Sequence, residues 1–131
     1  MASAPLGIVL RQVSQLAAAA ANQSLLDGQL LERFADRHDQ AAFAELVRRH
    51  GRLVWGVCRH LLQHDQDAED AFQATFLALA HKAGALGKLR ALAGWLHEAA
   101  FRSAMQTKRQ AARRRVLERQ ACLTAVRLCD V

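Results

Sequence analysis

The chain has 131 residues and a mass of 14.5 kDa, the size of one domain. Its 27 Ala and 20 Leu stand against 8 Val, 1 Ile and 3 Thr, which argues against an all-β or doubly wound α/β fold, because strands favour the residues this chain lacks. A hydrophobic content of 52% excludes a disordered chain, and the net charge of +6 directs attention to anionic partners.

Residues 1 to 24 read as a leader. Leu6, Val9, Leu10, Val13 and Leu16 with Ala17 recur at helical spacing and predict a short amphipathic helix. Arg11 follows the first apolar residues instead of preceding them, and Asn22, Gln23 and Ser24 make a poor cleavage site, so a secretory signal is not expected. Ser24 and Asp27 are candidate N-caps for a helix through Leu30, Leu31 and Phe34 to about Arg37, which His38 and Asp39 interrupt. The next helix spans roughly Gln40 to Leu62, with Phe43, Leu46, Val47, Leu53, Val54, Val57, Cys58, Leu61 and Leu62 on one stripe. Gly51 and Gly56 inside it predict close helix approach, with a kink at Gly51 as the competing reading.

After a turn over residues 63 to 66, Asp65 or Asp67 is expected to cap a further helix. Ala68, Ala71, Phe72, Thr75, Phe76 and Leu79 form its buried stripe up to about Lys82, and Asp70, Gln73, Ala74 and Leu77 mark the opposite side. Gly84, Gly87 and Lys88 predict a loop of about eight residues. The last helix begins near residues 90 to 93, and the part from Leu92 to Arg115 would be about 36 Å long at ~1.5 Å per residue. Leu92, Trp95, Leu96, Ala99 and Ser103 anchor its start. The expected fold is all-α: a compact bundle of about four helices over residues 25 to 115, with an extra N-terminal helix. Residues 116 to 131 read as a helical extension or the start of a linker.

Catalytic motifs are missing: there is no Gly-rich phosphate loop, nucleophile elbow or HExxH. Asp65, Asp67, Glu69 and Asp70 cluster in one turn, where complementing a helix dipole explains them. Cys58, His60 and His64 make a candidate metal set, the two histidines at a zinc-compatible spacing, but a turn begins near Gln63 and no fourth ligand is placed, so neither metal nor cofactor is expected. The odd count of cysteines, Cys58, Cys122 and Cys129, fits a reducing cytosol, and no apolar run approaches bilayer length; the expected location is cytoplasmic.

The charge is concentrated. Seven basic residues and one acid lie between Phe101 and Arg119. At 100° per residue, Arg102, Gln106, Arg109 and Arg113 fall within about 60° of one another, a row able to follow a phosphate backbone while Gln106 reaches a base edge. Lys88 and Arg90 add charge before the helix. Trp95 fits the core stripe, whereas Phe101 lies off it and is a candidate base-stacking ring. A solvated face or a membrane-surface helix are the competing readings of this charge.

Three stretches, DGQLLERFADRHDQAAFAELVRRHGRLVWGVCRHLL, QDAEDAFQATFLALAHKAG and GWLHEAAFRSAMQTKRQAARRR, together resemble region two of bacterial extracytoplasmic-function sigma factors. The likeness covers about residues 27 to 115, and the Ala-rich leader with FQATFLALAHKAG is most similar to the planctomycete-type branch. The resemblance implies a promoter-specificity subunit of RNA polymerase. Asp70, Gln73, Ala74 and Leu77 would dock on the clamp helices of the largest core subunit. Residues from about Gly84 to Arg90, then Trp95, Phe101, Arg102, Gln106 and Arg109, would bind and open the minus-ten element, a flipped base being held by the loop.

Three departures accompany the likeness. The usual Glu after the docking Gln is Ala74, and Phe101 and Arg102 stand where many members have Arg and Asn, so base preference does not carry over. No helix-turn-helix reading the minus-thirty-five element fits into residues 116 to 131, so a fragment, a truncated product and a stand-alone region-two protein remain alternatives. The functional readings are correspondingly a sigma-type initiation module or an interaction protein that occupies core polymerase without supporting initiation. The resemblance also adds an anti-sigma factor to the candidate partners.

Overall fold

The computed structural model describes residues 3–88 and 91–129. Five helices lie among them: α1 (Ser3–Asn22), α2 (Asp27–Arg37), α3 (Gln40–Leu61), α4 (Asp65–Leu86) and α5 (Leu92–Cys129). No strand occurs among the described residues, as the Ala- and Leu-rich composition predicts.

Helices α2 to α5 bury one stripe each against a shared core. Leu30 and Leu31 of α2, Leu46, Val54 and Cys58 of α3, Leu79 of α4 and Leu96 of α5 are almost fully buried. Alanines fill the crossings: Ala42, Ala68, Ala71, Ala100 and Ala104 have no exposed surface, and so small a side chain lets neighbouring backbones approach. Helix α5 packs on α3 and α4, α2 packs on the same two, and α1 touches α3. Thr75 is buried, and its hydroxyl donates to the Ala71 carbonyl at 2.7 Å, so the core carries no orphaned hydroxyl there.

The ends of the helices differ from the sequence expectation in instructive ways. Neither Ser24 nor Asp27 caps α2; the Leu26 amide donates to Gln29 Oε1 at 2.9 Å, the reciprocal arm of a capping box. Asp39, expected only to interrupt, caps α3 by accepting from the Ala42 amide at 3.2 Å. His64, not Asp65 or Asp67, is the N-cap of α4, and both acids lie in its first turn. Helix α4 also passes Lys82 and Gly84 and ends at Leu86, because the added turn buries Ala83 and Leu86. The α4–α5 connection is therefore shorter than the expected eight residues, and the described part of it starts at Gly87. Gly28 explains the tight join at this end: a Cβ there would lie 2.6 Å from the Gly87 carbonyl oxygen, which only glycine avoids.

A polar cluster ties α1 and α2 to α3. Glu45 is buried, and its carboxylate accepts from Arg48 Nε at 2.8 Å and from Arg49 Nε at 3.0 Å. Arg49 also donates to Asp27 at 3.1 Å and to the Asn22 and Gln23 carbonyls, closing the C-terminus of α1. His50 Nε2 lies 2.8 Å from the other Asp27 oxygen. The hydrogen bonds from Arg48, and then those from Arg49, hold the Glu45 carboxyl down at about 2 against the opposing effect of burial. Because that value lies below the ordinary 4.5, unfolding at acid pH takes up a proton. The stabilisation is fully present above pH 4.5 and is lost as pH falls toward 2. Urea melts across this range are expected to show the loss in the wild type; Glu45→Gln is expected to be less stable at pH 7 and flatter through the same window.

The two ends of the chain leave the core. Asn22 is buried, yet Ile8, Val9, Leu10, Val13 and Leu16 are exposed, so α1 is fixed at its C-terminal end and its expected apolar face has no cover among the described residues. The Leu6 side chain lies outside those described. Helix α5 has 38 residues, about 57 Å at ~1.5 Å each, and Ala111 is its last buried residue. Beyond it Val116, Leu117, Leu123, Val126 and Leu128 are exposed. No helix among the described residues is long and apolar enough to cross a membrane.

Candidate functional site

Helical spacing dictates one face of α4. Asp70, Gln73, Ala74 and Leu77 recur at three- and four-residue steps, and all four are exposed while Ala71, Thr75, Phe76 and Leu79 face inward. Leu77 is 61% exposed, a large apolar side chain in solvent one helical turn from the Gln73 amide. Gln66 Nε2 donates to Asp70 at 3.2 Å and so orients the carboxylate one turn later.

Gln73 and Leu77 border an open groove of about 470 Å³ whose other walls include Phe34, Phe43, Val47, Phe72 and Phe76. Its lining follows from a run of ring contacts: Phe34 to Phe43 at 4.7 Å, Phe43 to Phe76 at 6.3 Å, Phe76 to Phe72 at 5.0 Å and Phe72 to Trp55 at 6.0 Å between centroids. Tilted and edge-on pairs of this kind are favoured ring geometries. An apolar groove with a polar and an apolar residue on its lip is suited to taking side chains from a partner helix.

The basic row is built by α5. Arg102, Gln106, Arg109 and Arg113 are exposed and, with Phe101, Met105 and Gln110, line a second concavity. Among the described residues none of these three arginines has a carboxylate partner, whereas Arg114 is drawn 3.6 Å from Asp67 and Arg59 is 2.6 Å from Asp65. The row thus presents uncompensated charge, as a phosphate-binding surface requires. Phe101 is 47% exposed, so it is a surface ring; Trp95 is half-buried and packs on the core. Lys88 is exposed in the turn after α4, while Arg90 lies outside the described residues.

The glycines of α3 have different outcomes. Gly51 lies under the Phe72 ring, at 3.9 Å from the place of a Cβ, in an uninterrupted α3. Gly56 has nothing within 4 Å of that place and so makes no close approach; it opens a groove between α3 and α5 that residue spacing within one helix does not reveal. Burial pushes the Cys58 thiol up, away from ligand or nucleophile chemistry. No group of three potential metal ligands occurs among the described residues. Cys122 and Cys129 are both exposed on α5, seven residues apart.

Comparison with known proteins adds one positive finding. The family described as Sigma-70 region 2 matches residues 46–114, which takes in most of α3, all of α4 and the part of α5 that carries the arginine row. No curated protein and no solved structure matches.

Proposed function

Since the chain belongs to the Sigma-70 region 2 family, we propose that it is a promoter-recognition module of the extracytoplasmic-function type, docking on core RNA polymerase through α4 and on the minus-ten element through α5. The family makes it a transcription-initiation domain and not an enzyme, with core polymerase and promoter DNA as partners. The finer assignments are our reading of the surfaces. Asp70, Gln73, Ala74 and Leu77 meet the clamp helices of the largest subunit, with the aromatic-lined groove receiving apolar side chains from them. Ala74 offers no polar contact, which leaves Gln73 as the central donor of that face. Lys88, Arg90, Arg102, Arg109 and Arg113 hold the phosphates of the separated non-template strand, and Phe101 and Gln106 contact its bases.

The observation that carries this reading is the division of the surface. No residue is shared between the linings of the α4 groove and the α5 concavity, so the two partners are assigned separate surfaces. Strand opening here needs no covalent chemistry: bases are captured as they unstack, each stacking contact being worth about 1–3 kcal/mol. In a pull-down with core polymerase, the double change Asp70→Ala with Gln73→Ala is expected to reduce retention several-fold. Undiminished retention would remove the docking assignment. Run-off transcription separates the initiation module from a polymerase-occupying competitor, which would give no product and would inhibit another sigma factor.

A further inference from the structure

We infer that the aromatic groove beside α4 also seats α1 of a second copy of this chain, so that two copies cover each other's polymerase-docking face. The seating follows from the two surfaces themselves; its consequence for polymerase rests on the docking reading of α4.

Helix α1 carries an apolar row with nothing over it among the described residues. Val9, Val13 and Leu16 stand at i, i+4 and i+7, each more than half exposed, and fall within about 60° of one another at 100° per residue. Leu10 and Ala17, also exposed, widen the row. Arg11 is the one charged residue of α1, and it lies on the opposite side of the helix. Monomeric soluble proteins rarely leave an extended apolar face in water.

The groove matches that row in shape and in charge. Phe34, Phe43, Val47, Phe72 and Phe76 wall it, and anchors at i, i+4 and i+7 are the pattern by which a helix enters an apolar groove. No charged residue lines it, whereas the α5 concavity carries three arginines and the α3–α5 groove carries Arg52, His60 and His97. An uncharged helix face therefore meets an uncharged groove, and no ion has to be stripped of water when they join.

The α1 of the same chain is not the occupant, because its C-terminal end is pinned. Asn22 is buried, and Arg49 donates to the Asn22 and Gln23 carbonyls at 3.2 and 3.0 Å. Held there, α1 leaves its own groove open, and entering it would break both bonds and expose Asn22. From that anchor to Val9 the helix runs about 20 Å at ~1.5 Å per residue, so the row stands clear of its fixed end. Two copies that exchange helices fill both grooves and close as a two-fold dimer, with no row or groove left open to extend a filament.

Sedimentation velocity on the full chain tests the exchange. Wild type is expected to be mostly dimeric at about 100 μM. Val13→Glu places a better helix former at an exposed position, and is expected to weaken the dimer at least about tenfold with an unchanged melting curve. Leu77→Asp alters the groove and not the helix, and is expected to weaken the dimer as much. A monomeric wild type would overturn the inference. So would a dimer that survives Leu77→Asp, which would be α1 pairing with α1, or one that survives Val13→Glu, which would be joined elsewhere, as through the exposed apolar residues at the end of α5. Should Val13→Glu melt below wild type, Leu16→Gln repeats the test with the same outcomes.

Excess core polymerase separates the dimer from the docking reading. With the groove shared, each complex is expected to hold one chain and the dimer to disappear. Complexes holding two chains would overturn the α4 docking reading and leave the dimer standing; a monomeric wild type that still binds core would remove the dimer alone.

Discussion

Replacing Leu77 by Asp is expected to lower affinity for core RNA polymerase by at least about tenfold, equivalent to ~1.4 kcal/mol, while leaving thermal stability within ~0.5 kcal/mol. The size follows from position. Leu77 is 61% exposed at the lip of a groove walled by Phe34, Phe43, Phe72 and Phe76, so it holds little of the core but is central to any partner seated there. An aspartate in its place would bring a charge into a contact that excludes water, and the desolvation would fall entirely on the complex. Fluorescence competition for core polymerase, with a melting curve on each protein, checks both halves. Equal affinity would show that the α4 face is not the contact.

A triple variant, Arg102→Ala, Arg109→Ala and Arg113→Ala, is expected to bind single-stranded DNA more than tenfold more weakly at low salt. The sharper expectation is its salt dependence. Each phosphate contact to a single strand contributes ~0.7 to the slope of log affinity against log salt, so three lost contacts make the slope shallower by about two. The side chains are exposed and have no carboxylate partners among the described residues, so their removal leaves the fold intact. Anisotropy titrations at four or more salt concentrations give the slope. A weaker affinity with an unchanged slope would mean the arginines act through conformation instead of phosphate contact.

The two exposed faces were legible in the sequence because each lies on a single helix, although their roles come from the family resemblance. Asp70, Gln73, Ala74 and Leu77 follow from three- and four-residue spacing alone, and so does the row from Arg102 to Arg113. What was not legible depends on how helices meet. Asp27 has the residue type of a cap, but Arg49 and His50, more than twenty positions away, claim its carboxylate, and Gln29 serves α2 instead. Gly28 and Gly87 are remote in sequence and touch only because α2 crosses the end of α4. Local turn signals placed the end of α4 near Lys82, yet burial of Ala83 and Leu86 outweighed the cost of a glycine in the helix, about 1 kcal/mol. The α3–α5 groove was missed for the same reason: Gly56 could be read as a close approach until the position of α5 showed the space above it empty.

The claim beneath all of this is that one helical body offers separate faces to polymerase and to the opened strand. Photo-crosslinkers placed singly at positions 77 and 106, in a mixture of the protein, core polymerase and non-template single strand, test it most directly. The account predicts adducts to the largest polymerase subunit from position 77 and to DNA from position 106. DNA adducts from position 77, or the same adduct from both positions, would contradict it.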